Sequence, residues 1–268
     1  MNLTDDQLDQ FRRDGYLFLP NLFASSEIAV LRAEVERFVG LERKEILRDE
    51  HGELFGAFAV DRYSEPFARL LRHPRLLEPA QQILGTDLYA HQYKVIAKDP
   101  FGKLDFAWHQ DAASWAAYDG MPEPMAMNYA LFLDEVTEFN GPITLIPGSH
   151  QNGILGAADS PRPGGKSPLR ILSGELVQQL ASEHGLVAPK GPAGSAVFFS
   201  GLLAHASGPN ISPWTRYIVY LSYNPVANAI TRPTRPDFYA TRDHFTAIDV
   251  LPDDCLVRNQ LAVVHVSS

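Results

Sequence analysis

The chain has 268 residues, 45% of them hydrophobic and 21% charged, which suits a soluble globular protein with one sizeable core. Its net charge of −9 excludes a basic footprint for nucleic acid or an anionic membrane, and no apolar run approaches spanning length. The single cysteine, Cys255, excludes an intrachain disulfide framework and a thiolate-rich metal site.

The first residues, Met1 to Gln7, lack a charged-then-apolar signal pattern, so the expected location is the cytoplasm. Thr4-Asp5-Asp6-Gln7 is a capping-box pattern and predicts a helix that carries Leu8 and Phe11 and ends near Gly15. Tyr16 to Pro20 reads as a short buried strand stopped by proline. Ser25 or Ser26 is expected to cap a second helix, with Ile28, Leu31, Val35 and Phe38 at helical spacing and Gly40 at its end. The charged, aromatic-dotted stretch from Glu42 to Tyr63 fits neither period. Pro66 to about Leu84 reads as helix, Gly85 to Asp87 as a turn, and Leu88 to Ala97 as an alternating strand.

Further strands are expected at Met127–Leu133, Ile143–Ile146, Ser195–Phe199 and Tyr217–Tyr223, with a short helix from Leu172 to His184. Residues 151–168 are rich in Gly, Pro and Ser and read as a mobile loop near the site opening, a candidate lid. The sum is a mainly β protein with flanking α-helices, a sandwich or barrel under helical cover. We expect one domain over 1–268: a helical part to about 85, a β core over about 86–228 and an irregular tail.

The chemistry is carried by Phe106-Ala107-Trp108-His109-Gln110-Asp111 and, far downstream, His205. On an extended segment His109 and Asp111 share a face, because strand side chains alternate with period two. Two imidazoles and one carboxylate match the facial triad that holds non-haem Fe(II) and leaves positions open for substrate. Phe106, Trp108 and Trp115 suggest a lined pocket, against the plainer reading of two solvated polar residues on a surface strand. Arg216 follows His205 by one strand, a turn and a return strand. Its guanidinium can clamp a carboxylate bidentately beside the metal.

Trp108-His109-Gln110-Asp111, Asn140-Gly141-Pro142 through Pro147-Gly148-Ser149-His150, and His205 with Arg216 together resemble the phytanoyl-CoA dioxygenase-like family. The resemblance runs from about Leu3 to Asp243 and implies a double-stranded β-helix (jelly-roll, cupin-like) core, Fe(II), 2-oxoglutarate and O₂. It implies His109, Asp111 and His205 as iron ligands, Arg216 as the clamp on the far carboxylate of 2-oxoglutarate, Ser207 as its assistant and Phe106 as an aromatic lining that site. His150 reads as structural. An intact Asp111 points to hydroxylation, because halogenating members carry Ala or Gly there. Several segments, among them His91-Gln92-Tyr93-Lys94, Trp115 with Asp119 to Pro122, and Ser222 to Ala229, are similar to bacterial enzymes acting on small zwitterions. These are free amino-acid (leucine-type) hydroxylases and, more distantly, ectoine hydroxylase, which carries Arg and Asn where this chain has Lys94 and Ile96.

The expected function is therefore hydroxylation of a small polar metabolite, a free amino acid or derivative, by a monomer or homodimer. Lys94 and Arg242 are candidates to pair a substrate carboxylate, Trp115 and Tyr93 to pack its aliphatic part, and Gln92 to contact substrate or co-substrate. The alternatives are the same iron chemistry used for desaturation, epoxidation or cyclisation of a secondary-metabolite scaffold, and a catalytically silent jelly-roll binding protein. A CoA thioester is disfavoured by the lack of a basic phosphate cluster, and a structural interaction module has no repeat or docking helix behind it.

Overall fold

A computed structural model of the chain describes residues 1–49, 52–85, 87–161, 168–240 and 245–258. Helix α1 (Asp5–Asp14) opens with the expected capping box, Thr4 and Gln7 each accepting from the other's backbone N–H. It closes on Gly15 at φ +78°, where a Cβ would meet the His150 ring. His150 donates Nε2–H to the Arg12 carbonyl, Gln151 donates to Arg13 and the Gly148 N–H to Asp14. The Pro-Gly-Ser-His turn thus satisfies the carbonyls that the helix end leaves unpaired.

Strand β1 (Tyr16–Leu19) leads to α2 (Ser25–Val39), whose N-cap is Ala24 rather than a serine. Only the reciprocal half of the box forms, Glu27 accepting the Ala24 N–H. The ambiguous stretch is a hairpin of β2 (Ile46–Arg48) and β3 (Leu54–Phe58). The single helix expected after Pro66 is two, α3 (Glu65–Leu70) and α4 (Pro74–Leu84), broken at His73-Pro74, since the residue before proline avoids the α region.

Next come β4 (Leu88–Lys98), β5 (Phe106–His109), α5 (Asp111–Asp119), β6 (Met127–Phe132) and β7 (Ile143–Leu145). After them lie β8 (Ala158–Pro161), β9 (Pro168–Ile171), α6 (Gly174–His184), β10 (Ala196–Ser200), β11 (His205–Ser207) and β12 (Arg216–Pro225). Two antiparallel sheets result, one ordered β1-β10-β6-β12-β4-β3-β2 and the other β7-β11-β5-β9-β8. This is the expected jelly roll, with a difference: the helical N-terminal part contributes three strands, β1, β2 and β3, to the larger sheet. The loop expected over 151–168 pairs as β8 with β9 at the edge of the smaller sheet, and residues 162–167 lie outside the described residues.

The larger sheet is buried on both faces, the outer apolar and the inner mixed. Its outer face, with Tyr93, Val95, Tyr129, Leu131, Phe198, Val219 and Leu221, packs on Phe11, Leu31, Phe38, Phe67 and Leu77 of the helices. Its inner face, with Ala130, Phe132, Val197, Phe199 and Ile218, packs on Ile143 and Leu145 of the smaller sheet. The active-site candidates lie between the two sheets.

Candidate active site

His205 and His109 sit directly opposite each other on β11 and β5, their rings 4.1 Å apart. A bulge sets one residue of β11, Ala206, against two of β5, Ala107 and Trp108. Asp111 is not on a strand, as expected, but is the first residue of α5. The period-two argument survives because Gln110 is still extended (φ −115°, ψ 130°) and turns Asp111 back beside His109. An acidic side chain in the first helical turn also suits the helix dipole.

The three side chains are buried, and their donor atoms lie within 4.8 Å of one another. His109 Nε2 is 3.6 Å from Asp111 Oδ1, and His205 Nε2 is 3.6 Å from Oδ2. Each Nδ1 faces a carbonyl, Ala107 at 2.7 Å and Leu203 at 2.9 Å. A carbonyl only accepts, so Nδ1 carries the proton and Nε2 keeps its lone pair toward the centre. Burial, then the neighbouring His109, pushes His205 down to about 4, which keeps it neutral. Burial alone raises the Asp111 carboxyl, but His109, His205 and Lys94 hold it well below the usual carboxylate range. Two imidazoles that present Nε2 and one carboxylate fit Fe(II).

The triad opens into a pocket lined by Phe106, Ile96, Ile143, Ser207, Tyr220 and Lys94, among others. Behind Ser207 of its wall lie two buried basic side chains paired across β12 and β4, Arg216 and Lys98. Arg216 donates Nε–H to the Asn140 carbonyl (3.1 Å) and Nη2–H to Gly141, leaving Nη1 without a partner among the described residues. Lys98 donates to Ser207 Oγ (2.8 Å) and to the carbonyls of Ser207 and Gly208. Burial, then Arg216, pushes Lys98 down to about 6. An orphaned guanidinium nitrogen beside a second amine is a site for a carboxylate.

The substrate-side expectations fare unevenly. Lys94 lines the pocket, donating to Gln92 Oε1 (2.6 Å) with its ammonium 5.7 Å from the Tyr220 ring centre. Gln92 is not on the wall; it donates Nε2–H to the Tyr239 carbonyl (2.7 Å) and so holds Lys94 in place. Trp115 does not line the pocket: one helical turn beyond Asp111, it is 1% exposed among Ala112, Met121, Ala126 and Ile230, edge-on to His91. Tyr93 is also a core residue, because alternation along β4 turns it outward, where its hydroxyl donates to the Phe67 carbonyl. Trp108 points out of the smaller sheet onto Leu172 and Leu180. Arg242 lies outside the described residues.

Tyr220 and Ile96 line the pocket and were not weighed as lining, and Lys98, held against Ser207 of that wall, was missed. The same alternation from Lys94 indicates Ile96 and Lys98, whereas nothing in the sequence singles out Tyr220.

The chain is similar to known proteins over most of its length. It is 38% identical to the ectoine dioxygenase of Bordetella bronchiseptica over 261 residues, 92% of this chain and 85% of the relative. It is 35% identical to the L-proline trans-4-hydroxylase of Streptomyces griseoviridis, over 91% of this chain and 95% of the relative. The structure superposes on that of EctD from S. alaskensis with 2-oxoglutarate and 5-hydroxyectoine at a TM-score of 0.82 and 31% identity, covering 93% of this chain and 87% of that one. The profile described as Phytanoyl-CoA dioxygenase (PhyH) matches residues 11–218, and the chain belongs to that family.

Proposed function

We propose that the protein is an Fe(II)- and 2-oxoglutarate-dependent hydroxylase of a small carboxylate-bearing metabolite, a free amino acid or close derivative. The observation that carries this reading is the buried His109–Asp111–His205 cluster in a pocket whose wall residue Ser207 is held by Lys98, the strand partner of Arg216. His109, Asp111 and His205 would hold the iron. Arg216 Nη1, Lys98 and Ser207 Oγ would receive the far carboxylate of 2-oxoglutarate, and Phe106 would close over its carbon chain. Iron with 2-oxoglutarate and O₂ supplies the oxidation of an unactivated C–H bond, with succinate and CO₂ as by-products.

The protein orients and excludes water. Lys94 sits four residues from Lys98 on one face of β4, about 13 Å along an extended strand. That span separates a carboxylate site for substrate from the one for co-substrate. Ile96, Ile143 and Phe106 form an apolar wall between the two cations, which keeps the reacting carbon in a dry, fixed pose. The side chains of β4 and β12 are locked by neighbouring strands, which favours precise placement. We read the enzyme as cytoplasmic, monomeric or homodimeric. Among the described residues no helix is long and apolar enough to cross a membrane.

The test is anaerobic reconstitution with Fe(II) and 2-oxoglutarate, watching for a weak visible charge-transfer band. O₂ is then added with a panel of free amino acids and ectoine, following succinate and product mass. A band abolished in His109→Ala, with one substrate gaining a single oxygen, supports the reading. Absence of the band in folded protein overturns it.

A further inference from the structure

Resting on the metal-site reading above, we propose that Asn128, backed by Ser222, is a positioning residue that fixes which oxygen of Asp111 faces the metal. Neither residue lines the pocket, and both are buried. Asn128 on β6 and Ser222 on β12 are directly opposite partners, and Ser222 in turn pairs with Gln92 on β4. Asn128 donates Nδ2–H to Asp111 Oδ2 at 2.9 Å, a closer contact than the 3.6 Å from that carboxylate to either imidazole. Ser222 Oγ donates to Asn128 Oδ1.

The chemistry of the groups leaves one orientation. A carboxylate only accepts, so the amide must present its NH₂ to Asp111, and its oxygen then faces the one hydroxyl able to donate to it. The serine therefore locks the amide, and the amide locks the carboxylate against rotation. Oδ2 shares a lone pair with the amide and Oδ1 does not, which leaves Oδ1 as the better metal ligand. Single-oxygen ligation keeps the remaining coordination positions open for co-substrate and O₂.

The geometry also explains why the row exists. Three buried polar residues lie abreast on adjacent strands, Asn128, Ser222 and Gln92. The outer two each hold a group that faces the pocket, Asp111 at one end and Lys94 at the other. The next row, Ala130, Tyr220 and Lys94, lines the pocket through its last two members. Buried polar rows of this kind are costly unless fully satisfied, so a satisfied one beside the metal ligands is a positioning device.

Co(II) titration of metal-free protein, followed by its visible d–d spectrum, reads the site without turnover. Asn128→Leu keeps the volume and removes both hydrogen bonds. It is expected to weaken Co(II) binding 10- to 100-fold and to change the spectrum, on the order found for removing such supporting bonds. Ser222→Ala should show a smaller change of the same kind, and the double variant should bind no worse than Asn128→Leu alone, because the serine acts only through the amide. Wild-type affinity and spectrum in Ser222→Ala, or losses that add in the double variant, would overturn the proposal even if Asn128→Leu fails to fold. Failure of the parent chain to bind Co(II), or binding indifferent to His109→Ala, would remove the metal site itself.

Discussion

Replacing Lys98 with methionine is expected to stabilise the protein and at the same time to damage its use of 2-oxoglutarate. In the fold the amine is pushed down to about 6 by burial and by Arg216, whereas in the unfolded chain it has its ordinary value of 10.5. Between those values the unfolded state binds one more proton, so the stability of the wild type rises with pH across that window. Near pH 7.5, about three pH units below the ordinary value, this proton uptake favours unfolding by about 4 kcal/mol. Methionine removes that penalty and fills similar space. It forfeits hydrogen bonds to Ser207 and Gly208, worth about 1 kcal/mol each. The net is a gain of about 1–2 kcal/mol, or roughly 2–6 °C in melting temperature for a chain of this size. Removing a buried cation from beneath an anionic co-substrate costs about 2–5 kcal/mol, so KM for 2-oxoglutarate should rise at least roughly 30-fold. Thermal melts of metal-free protein at several pH values, with succinate assays beside them, measure both effects. A variant less stable than wild type near pH 7.5, with unchanged KM, would refute the reasoning.

Three further outcomes follow from the same geometry. Binding of 2-oxoglutarate should draw a proton onto Lys98, so its affinity should fall as pH rises above about 6; calorimetry in buffers of different ionisation enthalpy reads the uptake, and none near pH 7.5 would contradict it. Trp115→Ala should destabilise the fold by about 3–5 kcal/mol in denaturant melts while leaving KM for 2-oxoglutarate within about two-fold, since the indole is core rather than pocket wall. Burial raises the Glu27 carboxyl, but His73, Arg75 and the Ala24 N–H outweigh it and bring it to about 2 from an ordinary 4.5. Its stabilisation is therefore full above about 4.5 and is lost as pH falls toward about 2, and Glu27→Gln should show a shallower acid transition across that window.

How far the site was legible depended on whether local pattern alone decided a residue's direction. His109, Asp111, His205 and Arg216 were readable because strand alternation and one return strand suffice to converge them. Phe106 and Ser207 came with the family resemblance and do line the pocket. Tyr93 was placed on the wrong face although alternation from Lys94 opposed it, and Lys98 was overlooked although the same alternation favoured it. Trp115 failed for another reason: the chain changes period at Gln110, from strand to helix, and a tryptophan four residues along a helix is carried into the core. Asn128 had no signal at all, since its role depends on which strands flank β12. The same holds for His91, an extra residue on β4 between the pairs Gln92–Ser222 and Ala90–Tyr223, because bulges leave no mark in a sequence. The fold was readable to the level of helices over a jelly roll. β1 was read as a strand in place, whereas the β2–β3 and β8–β9 hairpins were decided by tertiary pairing.

The two ends of the pocket are anchored in different materials, and this bears on how such an enzyme diverges. Arg216 and Lys98 rest mainly on four backbone carbonyls, those of Asn140, Gly141, Ser207 and Gly208, with the Ser207 hydroxyl as the one side-chain acceptor for Lys98 among the described residues. A carbonyl survives any substitution that leaves the chain in place, so co-substrate recognition is buffered against drift in the surrounding loops. Lys94 rests on the side chain of Gln92, which a single base change can remove. On the proposed assignment, variation at Gln92 would alter the substrate end while leaving the carbonyl-held end in place.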